Sequence, residues 1–397
     1  DITSSFAFTM GLASNYDVHT NTASNGLTVN QATLTITPDG GKSKTYGQTF
    51  SAFTGSVSGL QNGEMGTATY ASTGAPATAN VGSYDITSSF AFTTGLASNY
   101  DVHTNTASNG LTVNQATLTI TPDGGKSKTY GQTFSAFTGT VSGLQNGEMG
   151  TASYASTGAP NTANVGSYDI TSSFSFTTGL ASNYDVHTNT ATNGLTVGKA
   201  TLTITPDGGK AKTLGETFTA FTGTVSGLVN GDGGTVNYSS VGAPAAAPVG
   251  VYDITSGFTF TSGLASNYDV HPNTAPHGLT VGYGVCSLYD QTKAVKQNAT
   301  VPVKFYLCNA AGQDVSSSAI VVTAVSLTPT AGSSSAQVED SGSANPDNNF
   351  RYDSTLGPSG GYIFNLSTKG VPSAMWKLTF TVSGASFGSY TLGFGVK

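Results

Sequence analysis

The motif Asp-Ile-Thr-Ser begins at residues 1, 85, 169 and 253, so a block of 84 residues recurs in register along a chain of 397. Such spacing dictates a tandem array, in which every block solves the same folding problem as its neighbour. Blocks 1–84 and 85–168 differ only at Met10/Thr94, Ser56/Thr140, Thr69/Ser153 and Ala77/Asn161. No residue in one block therefore carries chemistry that the next lacks. A catalytic centre ordinarily occurs once, whereas near-identical modules placed end to end set length, reach or multivalency.

Charge narrows the partners. Only 9% of residues are charged, the net charge is −7 and the single arginine is Arg351, so the chain lacks the basic surface that a nucleic-acid backbone requires. Aromatics at 10% (18 Tyr, 20 Phe) suffice to give each module a core, which argues against disorder. No apolar run approaches the roughly 20 residues that span a bilayer. Asp1 follows no signal peptide, so the chain is expected to be a mature or partial one.

Within a block, Ala32-Thr-Leu-Thr-Ile-Thr37 alternates apolar and hydroxyl side chains, as a half-buried strand does. Pro38-Asp-Gly-Gly41 stops it, because proline cannot donate to a ladder and Asp-Gly suits a tight turn. Further strands are expected at Thr49–Phe53, Gly55–Ser58, Thr67–Ala71, Ser83–Phe92, Tyr100–His103 and Gly110–Val113. Short strands punctuated by Gly, Asn and Pro imply an all-β chain of Ig-like antiparallel sandwiches.

These residues carry a resemblance. The Ala-Thr-Leu-Thr-Ile strand, Lys44-Thr-Tyr46-Gly47-Gln48, Gly59-Leu60-Gln-Asn62-Gly63, Asn80-Val81-Gly82-Ser83-Tyr84-Asp85-Ile86, Ser98-Asn-Tyr100-Asp-Val102 and Gly110-Leu-Thr-Val113 together resemble the bacterial, glycine-rich MBG repeat of the YGX type. The resemblance sets modules at 32–115, 116–199 and 200–282, with residues 1–31 matching the second half of another. The third departs from it at Leu214-Gly215-Glu216, where the tyrosine is leucine; this suggests that Tyr46 and Tyr130 chiefly pack.

Residues 283–397 differ. Val301-Pro-Val-Lys304-Phe305, Phe350-Arg-Tyr-Asp353, Gly361-Tyr-Ile-Phe-Asn-Leu366 and Met375-Trp376-Lys-Leu378 resemble the PxKF domain of bacterial secreted proteins. Strands at Val301–Leu307, Ile320–Leu327, Gly361–Leu366 and Trp376–Val382, with a polar loop over Ala331–Asn349, give a distinct C-terminal β-sandwich in which Trp376 anchors the core. Cys286 and Cys308 are either two buried thiols or, preferred for an even count in a chain of extracellular character, one disulfide.

Candidate chemistry is sparse. His19, His103, His187 and His271 are one position seen four times, each two residues after an aspartate, which is too few ligands for a metal. Asp39, Asn62 and Glu64 lack the alternation of a calcium loop. Lys304 invites an isopeptide cross-link to an Asn or Asp beside a carboxylate such as Glu339, but the sequence selects no partner and a strand lysine that extends its ammonium to solvent is the preferred reading. No Gly-x-Ser-x-Gly elbow sits between a strand and a helix, so nucleophilic catalysis has no candidate. No cofactor is expected, and the chain is read as non-enzymatic.

Residues 1–30 place Ile2, Phe6, Phe8, Leu12, Tyr16 and Val18 where Ile86, Phe90, Phe92, Leu96, Tyr100 and Val102 stand one block later. Alone they cannot bury those side chains, so they are expected to act as assembly strands that dock on upstream repeats or on another copy of the chain. The reading is an extracellular or cell-surface bacterial stalk or fibre, adhesive or structural, whose partners include itself and possible host, surface or glycan ligands. Its alternatives are a filament subunit joined by strand complementation through residues 1–30 and a spacer of a larger secreted enzyme. Because the linkers are one or two residues, small-angle scattering should report an elongated particle on the order of 140 Å or more; a radius of gyration fitting a sphere would refute this.

Overall fold

A computed structural model describes residues 1–332, 335–385 and 388–397. Two compact units divide it. One holds residues 1–126, 134–159 and 167–196; the other holds 127–133, 160–166 and 197–397.

The first unit contains a complete repeat. After two short strands, β1 (Ile2–Thr3) and β2 (Thr22–Ala23), come β3 (Ala32–Pro38), β4 (Lys42–Thr45), β5 (Gly55–Ser58), β6 (Gly66–Ala71), β7 (Gly82–Phe92), β8 (Tyr100–Thr104) and β9 (Thr106–Asn114). A three-stranded sheet of order β5-β3-β8 faces a four-stranded sheet of order β4-β9-β7-β6. Alternation in β3 does what period two requires: Leu34 and Ile36 are buried, and with Tyr100, Phe90 and Phe92 they form the core.

The sandwich is not wholly antiparallel. β3 runs parallel to β8 and β4 parallel to β9, because the chain crosses the whole module between the members of each pair, and a long crossover permits a parallel ladder. Thr49–Phe53 makes no strand; the Phe50 amide donates instead to the Ala75 carbonyl at 2.9 Å. β4, too polar to stand out in the sequence, is tied down by Lys44. Its buried ammonium donates to the Gln48 carbonyl at 2.8 Å and to the carbonyls of Ala75 and Pro76, and desolvation lowers its pKa. A register shift between Tyr84 and Ile86 leaves residues 108–110 bulging opposite Asp85. The Asp85 carboxylate accepts the Asn109 amide at 2.8 Å, with Asn109 at φ +53°, so the first residue of the recurring motif fastens this bulge.

In the second unit the third repeat takes the same course, with sheets built from Ala200–Pro206, Gly223–Ser226 and Tyr268–Pro272 and from Lys210–Thr213, Gly233–Ser239, Gly250–Ser262 and Thr274–Gly282. Beyond it lies a separate sandwich of two four-stranded sheets. One contains Gly284–Ser287, Thr300–Cys308, Gly361–Ser367 and Arg351–Asp353; the other Ala294–Val295, Tyr390–Val396, Ala374–Val382 and Val322–Pro329. Phe305, Tyr362, Phe364, Phe380 and Trp376 fill its centre, and the Trp376 indole donates to the Pro372 carbonyl at 3.0 Å. Between residues 331 and 349 the described residues form isolated bridges and one short 3₁₀ turn, Pro346–Asn348.

Cys286 and Cys308 are bonded across neighbouring antiparallel strands, with Cα atoms 6.0 Å apart. Gly284 makes room for this bond, since a Cβ there would lie 3.0 Å from the Cys308 sulfur. Closing a 22-residue separation constrains the unfolded chain by roughly 3 kcal/mol. Reduction should therefore lower the denaturant midpoint of the C-terminal domain and leave that of the repeats in place; quantitative labelling of both thiols in unreduced protein would contradict it.

Candidate functional site at the joints between repeats

One set of polar side chains that recurs with the 84-residue period converges where one repeat meets the next. In the first unit, Tyr46 leaves β4 at the end of one repeat and its ring meets Tyr184 of the following repeat edge-on, centroids 5.6 Å apart. Between the two phenols lies Glu148. Tyr46 donates to its Oε1 at 2.6 Å, and Tyr184 donates to its Oε2. The Tyr184 oxygen in turn accepts the Gln145 amide at 2.8 Å. Apolar packing continues around this pair, because Tyr46 and Val113 belong to the same buried cluster as Ala116, Leu118, Ile120 and Tyr184.

A second polar lock lies beside it. Asn183, only 1% exposed, accepts the Val81 amide at 2.9 Å and donates to the Asn80 side chain at 2.9 Å. The Asn146 amide reaches the Ala77 carbonyl at 3.2 Å. Gly47, at φ +88°, lies so close to Gln145 that a side chain at 47 would collide with it. Tyr-Gly thus serves one joint twice: the tyrosine supplies the donor, and the glycine permits the approach.

The second unit repeats the plan. Tyr130 and Tyr268 stand 5.5 Å apart and both donate to Asp232, at 3.0 and 2.7 Å, through a single oxygen, Oδ2. Asp232 is one methylene shorter than Glu148, so one oxygen serves both phenols. Asn267 accepts the Val165 amide at 3.0 Å and donates to the Asn164 side chain at 2.9 Å, while Asn230 donates to the Asn161 carbonyl at 2.9 Å.

Leu214 marks where the plan changes. The third repeat has Leu214 and Pro248 where its predecessors have Tyr130 and Asn164, and its neighbour is the C-terminal sandwich. There the Leu214 carbonyl accepts the Ala310 amide at 2.7 Å, and Gly215 approaches Asn309. The leucine therefore does not show that the tyrosines merely pack. It stands at the one joint whose partner is not a repeat.

Other candidates stay apart. His103, His187 and His271 each pair with the aspartate two residues earlier at 2.9–3.0 Å on exposed surface, as does His19, and among the described residues no group of three potential metal ligands forms. Asp39 accepts from Thr54, and Glu64 from Tyr100. Lys304 lies opposite Ile363 in its ladder, whereas the Glu339 backbone meets Ser367. Ile2, Phe6, Leu12, Tyr16 and Val18 are exposed and Phe8 is half-buried. In that segment Ile2–Thr3 and Thr22–Ala23 form a ladder. It keeps the local form of its later counterparts: Asp1 accepts the Asn25 amide at 2.8 Å, and the Phe8 and Tyr16 rings lie 5.2 Å apart, as Phe92 and Tyr100 do.

Burial first, and the Glu148 hydrogen bond second, push the Tyr184 phenol up to about 12. Burial likewise raises Tyr268 to about 12, with the Val229 amide opposing and Asp232 adding. An unfolded phenol ionises near pH ~10. The stabilisation is therefore whole below that pH and is lost as pH rises toward the folded value. Urea midpoints followed by circular dichroism should fall steeply from about pH 10 to 12 and less steeply in Tyr184→Phe/Tyr268→Phe. At neutral pH, Glu148→Ala should cost roughly 1–3 kcal/mol by leaving two buried donors unmet; an unchanged midpoint would refute the lock.

The family profile described as MBG domain (YGX type) matches residues 34–112, 118–196 and 202–276. No curated protein matches the chain. Among solved structures, immunoglobulin domains 1–4 of Sidekick-1 are 11% identical, with 91% of this chain and 98% of that one covered at a TM-score of 0.20. Domains 4–9 of the surface layer protein SbsC are 15% identical (70% and 47% covered, TM-score 0.18), and an I-band fragment of titin is 10% identical (70% and 96%, TM-score 0.21). No helix among the described residues is long and apolar enough to cross a membrane.

Proposed function

The chain belongs to the MBG domain family of the YGX type, and from that premise we propose that it is a non-enzymatic, extracellular structural stalk of a bacterial surface. One observation carries the reading. A set of recurring polar groups is engaged at the joints, Tyr46–Glu148–Tyr184 and Tyr130–Asp232–Tyr268, so this part of the repeated chemistry is directed at holding neighbours together. Buried hydrogen bonds demand partners in fixed geometry, and a joint built from them resists bending. Resemblance of residues 283–397 to the PxKF domain supports export and a terminal position for that sandwich.

A second reading rests on residues 1–30, which keep the local form of half a repeat while exposing Ile2, Phe6, Leu12, Tyr16 and Val18. Strand complementation by another copy would cover them and produce a filament. Electron microscopy of natively purified protein distinguishes the two. Discrete rods, with residues 1–30 cut readily by protease in a monomer, support the stalk; continuous fibres lost on deletion of residues 1–30 support the filament; a compact globular particle supports neither.

A further inference from the structure

The face that receives a neighbour in the second and third repeats is also present, complete and unfilled, on the first. Gln61, Asn62, Glu64, Asn99 and Tyr100 stand where Gln145, Asn146, Glu148, Asn183 and Tyr184 stand one period later. Their internal arrangement is already made: Tyr100 donates to Glu64 Oε2, and the Gln61 amide donates to the Tyr100 oxygen at 2.8 Å. Gly95, at φ +85°, leaves the space in which the Glu64 carboxylate lies, as Gly179 does for Glu148. Outward-facing groups lack the partners that their counterparts have. Among the described residues no donor meets Glu64 Oε1, and Asn99 is exposed, whereas Asn183 and Asn267 are 1% and 2% exposed.

We infer that this face is a docking site for a further repeat of the YGX type, recognised by a tyrosine phenol on Glu64 Oε1 and by an Asn-Val loop on the Asn99 side chain. The filled joints define the occupant, because there the same groups take Tyr46, Asn80 and Val81, all from the first half of the preceding repeat. Residues 1–30 correspond to a second half and contain no such tyrosine or loop. A second copy of this chain is a poor donor. Its Tyr46 and Tyr130 are already engaged, and its third repeat offers Leu214, whose side chain cannot donate, and Pro248, whose side chain cannot accept. A first half that completes the core of residues 1–30 would set its Tyr-Gly on Glu64 in the same step. The inference rests on the structural-array reading and names the partner of its open end, while its test reads single residues and not particle shape.

Two measurements test it. In the chain as it stands, Asn183→Ala should lower the thermal midpoint of the first two repeats by about 3 °C or more, while Asn99→Ala should leave it unchanged; an equal loss at Asn99 would show the face already filled and overturn the inference. Sedimentation that shows dimers abolished by Glu64→Gln would overturn it too, by making a second copy the occupant. In the chain extended at its amino end by an added copy of residues 1–84, amide exchange at Gln61 should slow at least about tenfold, to the level of Gln145. Changing the added tyrosine to leucine, or Glu64→Gln, should reverse that protection. Exchange at Gln61 that does not respond to the extension refutes the docking.

Discussion

The joints between repeats are built around a carboxylate shared between two phenols from different modules. Glu148, half-buried, receives Tyr46 from one side and Tyr184 from the other, and the two phenols, on tyrosines that are buried, would be left without an acceptor if it were removed. Neither repeat can satisfy it fully alone. The joint is therefore self-checking: correct apposition satisfies every group, and a displaced neighbour strands a charge. Apolar contact supplies area around the pair, but it is non-directional; the hydrogen bonds fix the geometry.

Within each module the same division holds. Leu34, Ile36 and Tyr100 make a small core, and polar devices hold what so small a core cannot. Lys44 gathers the carbonyls of Gln48, Ala75 and Pro76, and Asp85 fastens the bulge at Asn109. A chain with few charges thus buries one lysine in each repeat, Lys44, Lys128 and Lys212, with backbone carbonyls as acceptors.

The period, the all-β class and β3, β5, β6, β7 and β8 were legible from alternation and turn residues, because half-buried strands record their burial in every second side chain. β4 was not, since Lys-Ser-Lys-Thr shows no apolar face and is held by a lysine bonding to distant carbonyls. Parallel pairing was hidden as well: alternation reports which face is buried and not which way a neighbour runs. The joint was half visible. Tyr46, Gly47, Asn62 and Asn80 stood out as motif residues, but repetition alone cannot separate a position kept for its own module from one kept for the next. The substitution at Leu214 held the clue, for it coincides with loss of the Asn at Pro248 and with a change of neighbour.

That paired substitution also governs how the array can grow. Each joint involves only consecutive modules, so genetic duplication of any whole 84-residue block ahead of the third repeat inserts one more satisfied joint and disturbs none. Duplicating the third repeat itself would bring Leu214 and Pro248 against a carboxylate and an amide that need donors and acceptors. Blocks added ahead of the third repeat meet complementary groups, whereas a duplicated third repeat would leave a carboxylate short of a donor and an amide short of an acceptor.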